Sequence, residues 1–404
     1  MRKLLSLLLA VLLFFGCSKV PSEPQISTSV TTEATTITEA TTVTTIATTE
    51  ATTVITEPPL TYSRVKLLCA GDNLIHSSIY NQAKRRATAN GEDGYDFSFV
   101  YEAVAEQIAS ADLAILNQET IITDEFEPSS YPTFCSPEDL GLYMLEIGFD
   151  VFSISNNHIL DKGEKGLLAT LDFWDKQENA LVYGAYKDAE DMENIRILEK
   201  NGITFAFLGY MEHTNGLKLK EGATAEIVYL SELELIEKQV KAADALADVV
   251  VVSPHFGVET INEVTNHQYE ITKKLVEWGA DLIIGTQPHT AQSCEFLPKP
   301  DGGQAFVYYC LGNLVSSMSH KLAMVGLLGE LEVVKNDLTG EITFENVKAV
   351  PIISHYGYNY SNVHIVRYAD YTEEMAREHG NEGFSWEIIG KILSYVPEEF
   401  LAVE

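Results

Sequence analysis

The chain alternates short apolar runs with polar clusters and amphipathic stretches. Apolar runs of this kind predict buried strands, and they occur at 65–70, 112–116, 151–154, 203–209, 249–253, 281–284 and 305–310. Several are followed by apolar residues at helical spacing, as with Leu167, Leu171 and Trp174, which predict one face of a helix. Repetition of strand, polar cluster and helix predicts an α/β fold with a largely buried sheet.

Two elements at the carboxyl end add to this pattern. The apolar stretches 327–334 and 341–350 flank turn-forming residues and predict a hairpin. Further on, Trp386, Ile389 and Leu393 share one face of a closing helix that we expect to pack on the core. The segment 366–404 is therefore predicted to be a helical extension of the domain at 61–365.

The amino end predicts export. Arg2 and Lys3 precede an apolar run that stops at Gly16-Cys17, which is the layout of a secretory signal. A cysteine directly after the small residue is similar to the bacterial lipoprotein signal, so residues 1–17 predict a signal peptide with lipidation at Cys17. We expect the protein on the extracellular face of the bacterial cytoplasmic membrane; the alternative is plain cleavage and secretion.

Residues 18–60 are dominated by Thr, with Ala, Val, Ile, Pro and Glu and without aromatic anchors. Such a stretch cannot offset its ordering entropy by burial, which predicts an extended, disordered stalk. Whether the stalk is glycosylated is left open by the sequence.

The net charge limits the possible functions, and the positions of the cysteines limit the possible disulfides. The formal net charge of −32 excludes a nucleic-acid binder, which needs a basic face. A polyanionic substrate would need a focused site, most simply a metal. Cys69 and Cys310 lie in apolar runs and predict buried thiols. Cys135 and Cys294 lie in loop-like sequence, where a disulfide outside the cytosol is left open.

Polar side chains that suit metal binding or catalysis follow the predicted strands. They are Asp72, Glu119, Asn157 with His158, His255, Gln287 with His289, and Asn313. Ligands of α/β sheets bind at the carboxyl ends of strands. Carboxylate, imidazole and amide oxygen are donors for Mg²⁺, Mn²⁺ or Zn²⁺. The sequence therefore predicts one shared site, although a single histidine after a strand is more often an ordinary loop residue.

The densest cluster is Ser155-Asn156-Asn157-His158 with Asp161 and Gly163. Together with Gly71-Asp72, Asn117-Gln118-Glu119, His255-Phe256-Gly257 with Glu259, Pro288-His289 and Leu311-Gly312-Asn313, it resembles the CapA family of poly-gamma-glutamate capsule synthesis proteins, related in fold to calcineurin-like metallophosphatases. The resemblance covers roughly residues 63 to 320. It implies a four-layer α/β/β/α sandwich with a two-metal site at the strand ends.

The resemblance also implies roles for these residues. Asp72 and His289 would hold a first ion, Glu119 would bridge, and Asn157, His255 and Gln287 would hold a second. His158 would act as an acid or electrostatic stabiliser, and Asp161 would either orient it or cap the next helix. Asn156, Glu259 and Asn313 are assigned to substrate binding. His76 would join the first ion or lie at the surface.

The chain departs from the family at Gln287, where the family usually has histidine. An amide oxygen is a weaker ligand than imidazole for Mn²⁺ or Zn²⁺. A single-ion site and a metal-free site therefore stay open beside the two-ion site with Mn, Mg, Fe or Zn.

Three functions follow from these observations. We favour a surface lipoprotein in the synthesis or export of poly-gamma-glutamate or a related anionic polymer, working with membrane-bound capsule synthesis subunits. The alternatives are a metal-dependent hydrolase of a phosphoester or polymer amide, and a degenerate surface binding protein.

Overall fold

Two β-sheets face each other at the centre of the fold, and helices cover their outer faces. The computed structural model describes residues 61–403. The strands are β1 Tyr62–Asn73, β2 Leu113–Asn117, β3 Val151–Ser153, β4 Leu181–Tyr183, β5 Ala185–Tyr186, β6 Arg196–Lys200, β7 Ile203–Met211, β8 Glu226–Ile227, β9 Val249–His255, β10 Leu282–Ile284, β11 Cys294–Pro298, β12 Gln304–Tyr308, β13 Asn313–Val315, β14 Val325–Asn336, β15 Ile342–Gly357 and β16 Ser361–Arg367.

The helices lie between and after these strands. They are α1 Ser77–Asn90, α2 Ser98–Ala109, α3 Glu138–Glu146, α4 Gly163–Trp174, α5 Ala189–Glu193, α6 Leu233–Asp244, α7 Asn266–Trp278, α8 Glu373–Glu378 and α9 Trp386–Leu393. None of the helices within residues 61–403 is long and apolar enough to cross a lipid bilayer.

The larger sheet has the order β16-β15-β14-β1-β2-β3-β4, with β13 paired to β1. Its strands β1 to β4 run parallel, whereas β14, β15 and β16 form an antiparallel half. The smaller sheet has the order β11-β12-β10-β9-β7-β6 and a parallel centre. The carboxyl ends of β1, β2 and β3 in one sheet and of β9 and β10 in the other carry the predicted site residues.

Successive side chains of a strand point to opposite faces of its sheet, so each sheet packs against the other sheet on one face and against helices on the other. Phe207 of β7 and Val251 of β9 belong to the same core as Leu67 of β1. Their neighbours along the strands pack instead with Ile236 of α6 and Leu275 of α7. On the other sheet, Trp174 of α4 stacks on Phe152 of β3 with ring centroids 4.2 Å apart. The predicted four-layer α/β/β/α sandwich is confirmed.

The carboxyl-terminal segment belongs to the same core. Ile389 and Leu393 of α9 are buried in it, and Leu401 forms a bridge with Ala349 of β15. Strand β16 ends at Arg367, two residues beyond the domain boundary expected at 365. The predicted signal peptide 1–17 with Cys17 and the predicted stalk 18–60 lie outside the described residues.

Three local predictions change in the structure. Cys294 opens strand β11 instead of lying in a loop, and all four cysteines of the described part are buried and free, so no disulfide joins Cys135 and Cys294 there. Asn313 begins β13 and does not end a strand. The second arm of the predicted hairpin is longer than expected, because β15 continues beyond residue 350 to Gly357.

Candidate metal centre

Glu119 lies at the centre of the candidate site. It follows β2 and is fully buried. Within the described residues, neither of its carboxylate oxygens has a hydrogen-bond partner. Burying an unpartnered carboxylate is costly, and burial raises the pKa of Glu119 well above its usual value. A buried acid without a partner indicates a position meant for a cation.

Three histidines aim the same ring atom at this carboxylate. The distance from Nε2 to Glu119 Oε1 is 3.7 Å for His289, 3.9 Å for His255 and 3.9 Å for His158. These distances exceed those of good hydrogen bonds. The imidazoles therefore surround the carboxylate of Glu119 without forming hydrogen bonds to it.

The other ring nitrogen of each histidine is occupied. Nδ1 of His158 lies 2.7 Å from Asp161 Oδ2, and Nδ1 of His255 lies 2.8 Å from Thr286 Oγ1. Nδ1 of His289 lies 3.0 Å from Asp72 Oδ2 and 3.1 Å from Asn313 Oδ1. Partners of this kind fix the ring orientation of metal-binding histidines.

Asp72 completes the first side of the site, which also contains His289. Its Oδ1 accepts a 2.6 Å hydrogen bond from Asn117 Nδ2. Burial raises the pKa of Asp72, but the hydrogen bond and positive charge of His289 outweigh burial, so the net pKa is lowered. Burial lowers the pKa of His289, and the charges of Glu119 and Asp72 outweigh it, raising that pKa to about 10. One ligand atom from each of Asp72, Glu119 and His289 lies within 4.8 Å of the others.

The second side of the site is neutral. His255 Nε2 lies 3.1 Å from Asn157 Oδ1, and burial lowers the pKa of His255 to about 3. Gln287 Oε1 is buried and unpartnered among the described residues. The Gln287 backbone has φ of 98°, and that of His289 has 57°. Non-glycine residues hold such a conformation only where the surrounding structure imposes it, which is common at functional sites.

The end of β1 lies very close to the chain that enters β13, its neighbour in the larger sheet. Asp72 N donates to Gly312 O at 2.9 Å, and a Cβ on Gly71 would lie 1.9 Å from the same oxygen. Only glycine fits at position 71. The close approach brings the end of β1 against the loop that leads to Asn313.

Asp161 contacts His158, and its side chain makes no capping hydrogen bond to helix α4. Its Oδ2 also accepts a 2.5 Å hydrogen bond from Phe134 N. The Phe134 ring packs edge-on against His158 at 4.7 Å and His76 at 5.2 Å. Sequence analysis did not predict this role for Phe134, because the segment around it has only the pattern of a loop.

The three residues assigned to substrate binding lie in different surroundings. Asn156 is buried, donates to Gln118 O at 3.0 Å and accepts from His158 N at 3.1 Å. Asn313 is also buried and holds His289. Glu259 is exposed at the mouth of the site. Substrate contact by these residues stays a prediction, and Glu259 is the one whose side chain reaches solvent.

His76 precedes α1 and lines the opening above the site, outside the group of Asp72, Glu119 and His289. Burial lowers its pKa to about 4. It approaches Phe134 and the backbone of Ser317, whose N lies 3.3 Å from His76 Nδ1.

Comparison with known sequences assigns the chain to a family. The sequence pattern of the bacterial capsule synthesis protein PGA_cap matches residues 66–318, which include every predicted site residue except Cys17. The chain belongs to this family. The strands that carry the candidate metal ligands lie within the matched region, except for the first four residues of β1.

Two relatives and one solved structure show how far the similarity extends. The capsule biosynthesis protein CapA of Bacillus anthracis is 31% identical over 173 residues, covering 42% of this chain and 41% of the relative. The PGA biosynthesis protein CapA of Bacillus subtilis is 29% identical over 171 residues, 42% of this chain and 43% of the relative. The chain thus aligns with about two fifths of these relatives. A novel phosphatase from Mycoplasma pneumoniae aligns over 72% of this chain and 95% of its own, with 12% identity and a TM-score of 0.44.

Proposed function

We propose that this protein acts at the bacterial cell surface in the synthesis or export of poly-gamma-glutamate or a related anionic capsule polymer. In this proposal Cys17 carries the lipid anchor, the polymer is the partner, and a divalent ion at the strand ends mediates their contact. Family membership supports the capsule role. The signal at residues 1–17 supports the location.

The observation that carries the proposal is the convergence of three histidine Nε2 atoms on an unpartnered, buried Glu119. Asp72, Glu119 and His289 would hold one ion, and Asn157, His255 and Gln287 with Glu119 would hold another. Their mixture of carboxylate, imidazole and amide oxygen suits Mn²⁺, Mg²⁺, Fe²⁺ or Zn²⁺. When bound, the ion supplies positive charge and Lewis acidity at the floor of the site.

Charge explains why an ion is needed. The chain has a formal net charge of −32, so an anionic polymer is repelled by most of its surface. The metal centre would be the place where that repulsion is locally reversed. His158 faces the same floor, with its Nε2 3.9 Å from Glu119 Oε1.

A second candidate, hydrolysis of a phosphoester or a polymer amide, is favoured by one feature. His158 Nδ1 is hydrogen-bonded to Asp161 Oδ2, and its Nε2 points to the centre. A carboxylate that orients an imidazole is the arrangement of a general acid or base. The same geometry also serves binding, so turnover is what separates the two candidates.

The test is to load the full chain, purified in detergent, with Mn²⁺ and to measure its binding to poly-gamma-glutamate and the polymer length over time. The proposal predicts binding that is lost with EDTA and restored by Mn²⁺. His158→Ala should keep metal and polymer binding. Polymer shortening that disappears in His158→Ala would favour the hydrolase. Failure of the metal-loaded protein to bind the polymer would contradict the proposal.

A further inference from the structure

A cleft without lysine or arginine opens directly above the candidate metal centre. We call it the rim cleft; it has a volume of about 480 Å³, and His158 and His289 form part of its floor. Its walls carry serine hydroxyls and aromatic rings, chiefly Ser78, Ser130, Ser317, Ser319, Tyr131 and Tyr360. Among the described residues that line it, none is Lys or Arg, and the one carboxylate is that of Glu259.

The absence of lysine and arginine along these walls conflicts with ordinary polyanion recognition. Sites for polyanions neutralise successive charges with basic side chains, and their affinity falls steeply with salt. Here the polar groups that line the cleft are hydroxyls, imidazoles and the single carboxylate of Glu259. They can pair with amide groups, and the tyrosine rings can cover methylene groups.

Tyr360 is held at the edge of this cleft by its surroundings. Its φ is 55°, and that of the preceding Asn359 is 53°. Gln82 Nε2 donates to Tyr360 O at 3.1 Å, and the rings of Tyr356 and Tyr360 lie 4.9 Å apart. A strained backbone that the surrounding structure maintains is a common feature of ligand contacts.

Tyr131 approaches the cleft from a different loop and is 76% exposed. A large aromatic side chain that is this exposed buries little area in the protein itself, so it gains most from a ligand. The serine walls between the two tyrosines are fixed internally: Ser78 Oγ lies 2.6 Å from Ser317 Oγ, and Ser77 N donates to Ser130 Oγ at 3.1 Å.

We infer that the rim cleft binds the polymer through its uncharged backbone, with amides against the serines and methylenes against Tyr131 and Tyr360, while a single carboxylate reaches the metal centre. This inference rests on the proposed function, since it assumes a polymer whose repeat carries both an amide and a carboxylate. The remaining carboxylates of the polymer would face solvent. Affinity would then depend on metal and on the tyrosines, and only weakly on ionic strength.

The experiment uses the full chain in detergent with Mn²⁺ and immobilised poly-gamma-glutamate. We expect Tyr131→Ala and Tyr360→Ala each to weaken binding about tenfold, as loss of an aromatic contact commonly does. Tyr358→Ala is the matched control, because Tyr358 belongs to the same loop as Tyr360, is 84% exposed and does not line the cleft. It should bind like the unmodified protein.

The dependence of binding on salt and on competing polymers distinguishes the kinds of contact that the cleft makes. Raising NaCl from about 50 mM to about 500 mM should change affinity by about twofold or less. A drop of about a hundredfold, or equal effects of Tyr131→Ala and Tyr358→Ala, would overturn the inference. Competition by dextran as strong as that by poly-gamma-glutamate would assign the cleft to glycans instead and would also overturn it.

Metal content measured on the same samples keeps the two proposals apart. Equal metal in all three tyrosine variants with selective loss of binding supports the cleft assignment. Protein without metal that still binds the polymer through Tyr131 would support the tyrosine contacts of the cleft, but it would refute both the metal-mediated function and the contact of a polymer carboxylate with the metal.

Discussion

Glu119 separates two halves of the candidate metal centre that differ in charge. On one side are Asp72, with a lowered pKa, and His289, whose pKa is raised to about 10. On the other side are the amides of Asn157 and Gln287 and the imidazole of His255, whose pKa is lowered to about 3. The first half is a charged pair in the absence of metal, and the second half is neutral.

This difference sets what each half can do. A carboxylate ligand attracts a divalent ion more strongly than a neutral amide oxygen, so the half with Asp72 should hold its ion more tightly. It must also release the proton of His289 to do so, whereas His255 is already neutral at pH 7. We expect one tight, pH-dependent ion and one weak ion that depends little on pH near neutrality.

The largest effect should come from Glu119→Ala, which removes the group shared by both halves. We expect affinity for Mn²⁺ to fall by about a hundredfold or more. Binding also stabilises the folded state, by about 2.7 kcal/mol at a metal concentration a hundred times Kd, and this gain should vanish. Calorimetric titration and thermal unfolding with and without Mn²⁺ measure both.

Glu345→Ala is the control for this loss. Glu345 is exposed in strand β15 and pairs with Arg64 at 2.8 Å, away from the centre. Its variant should bind Mn²⁺ normally. Unchanged Mn²⁺ binding in Glu119→Ala would refute the shared role of Glu119.

A substitution can also make the two halves of the site chemically more alike. Gln287→His would give the neutral half a second imidazole, and we expect about tenfold tighter binding of Zn²⁺ at the weak position. Titration with Zn²⁺ should then show two tight ions. Gln304→His, at an exposed position of β12, serves as control and should leave the titration unchanged.

Such an increase requires that position 287 face the ion. Equal Zn²⁺ affinity before and after Gln287→His would show that this side chain takes no part, and the neutral half would have to be redefined.

The tight ion should bind more weakly at lower pH. The pKa of His289 is raised to about 10, so at pH 7 the metal-free protein carries a proton there that the ion must displace. If one proton is released, affinity rises about tenfold per pH unit below that pKa. Titration calorimetry in two buffers of different ionisation enthalpy counts the released protons. A heat that is the same in both buffers would contradict this account of His289.

The smallest effect on metal should come from Asp161→Asn. Asp161 touches His158 and Phe134 but lies behind the histidine, so Mn²⁺ affinity should change by about twofold or less. The orientation of His158 should be lost, which appears in the NMR signal of its Nδ1 proton. A large loss of metal in this variant would place His158 among the ligands.

The sequence predicted the strands and their polar ends because a buried parallel strand is a nearly continuous apolar run that ends abruptly. It could not predict the contacts that fix the histidines, because Thr286 and Asn117 are ordinary residues until the fold brings them next to His255 and Asp72.

The sequence also could not predict the rim cleft. Tyr131 and Tyr360 are far apart in sequence. Asn359 and Asn362 indicate a turn near Tyr360, but nothing in the sequence indicates that Tyr360 itself adopts a left-handed backbone. Cys294 was misplaced in a loop because its strand, β11, is a short edge strand of mixed composition. Edge strands carry the weakest hydrophobic pattern, since only part of their surface is buried.

The most direct test of the account is the metal content of the protein purified without chelator, measured by inductively coupled plasma mass spectrometry. We expect about one ion of Mn, Fe or Zn per chain and a further ion after Mn²⁺ is added. Glu119→Ala should contain neither ion. Protein that contains no metal, even after Mn²⁺ has been added, would contradict the central claim that Glu119 and its histidines form a metal centre.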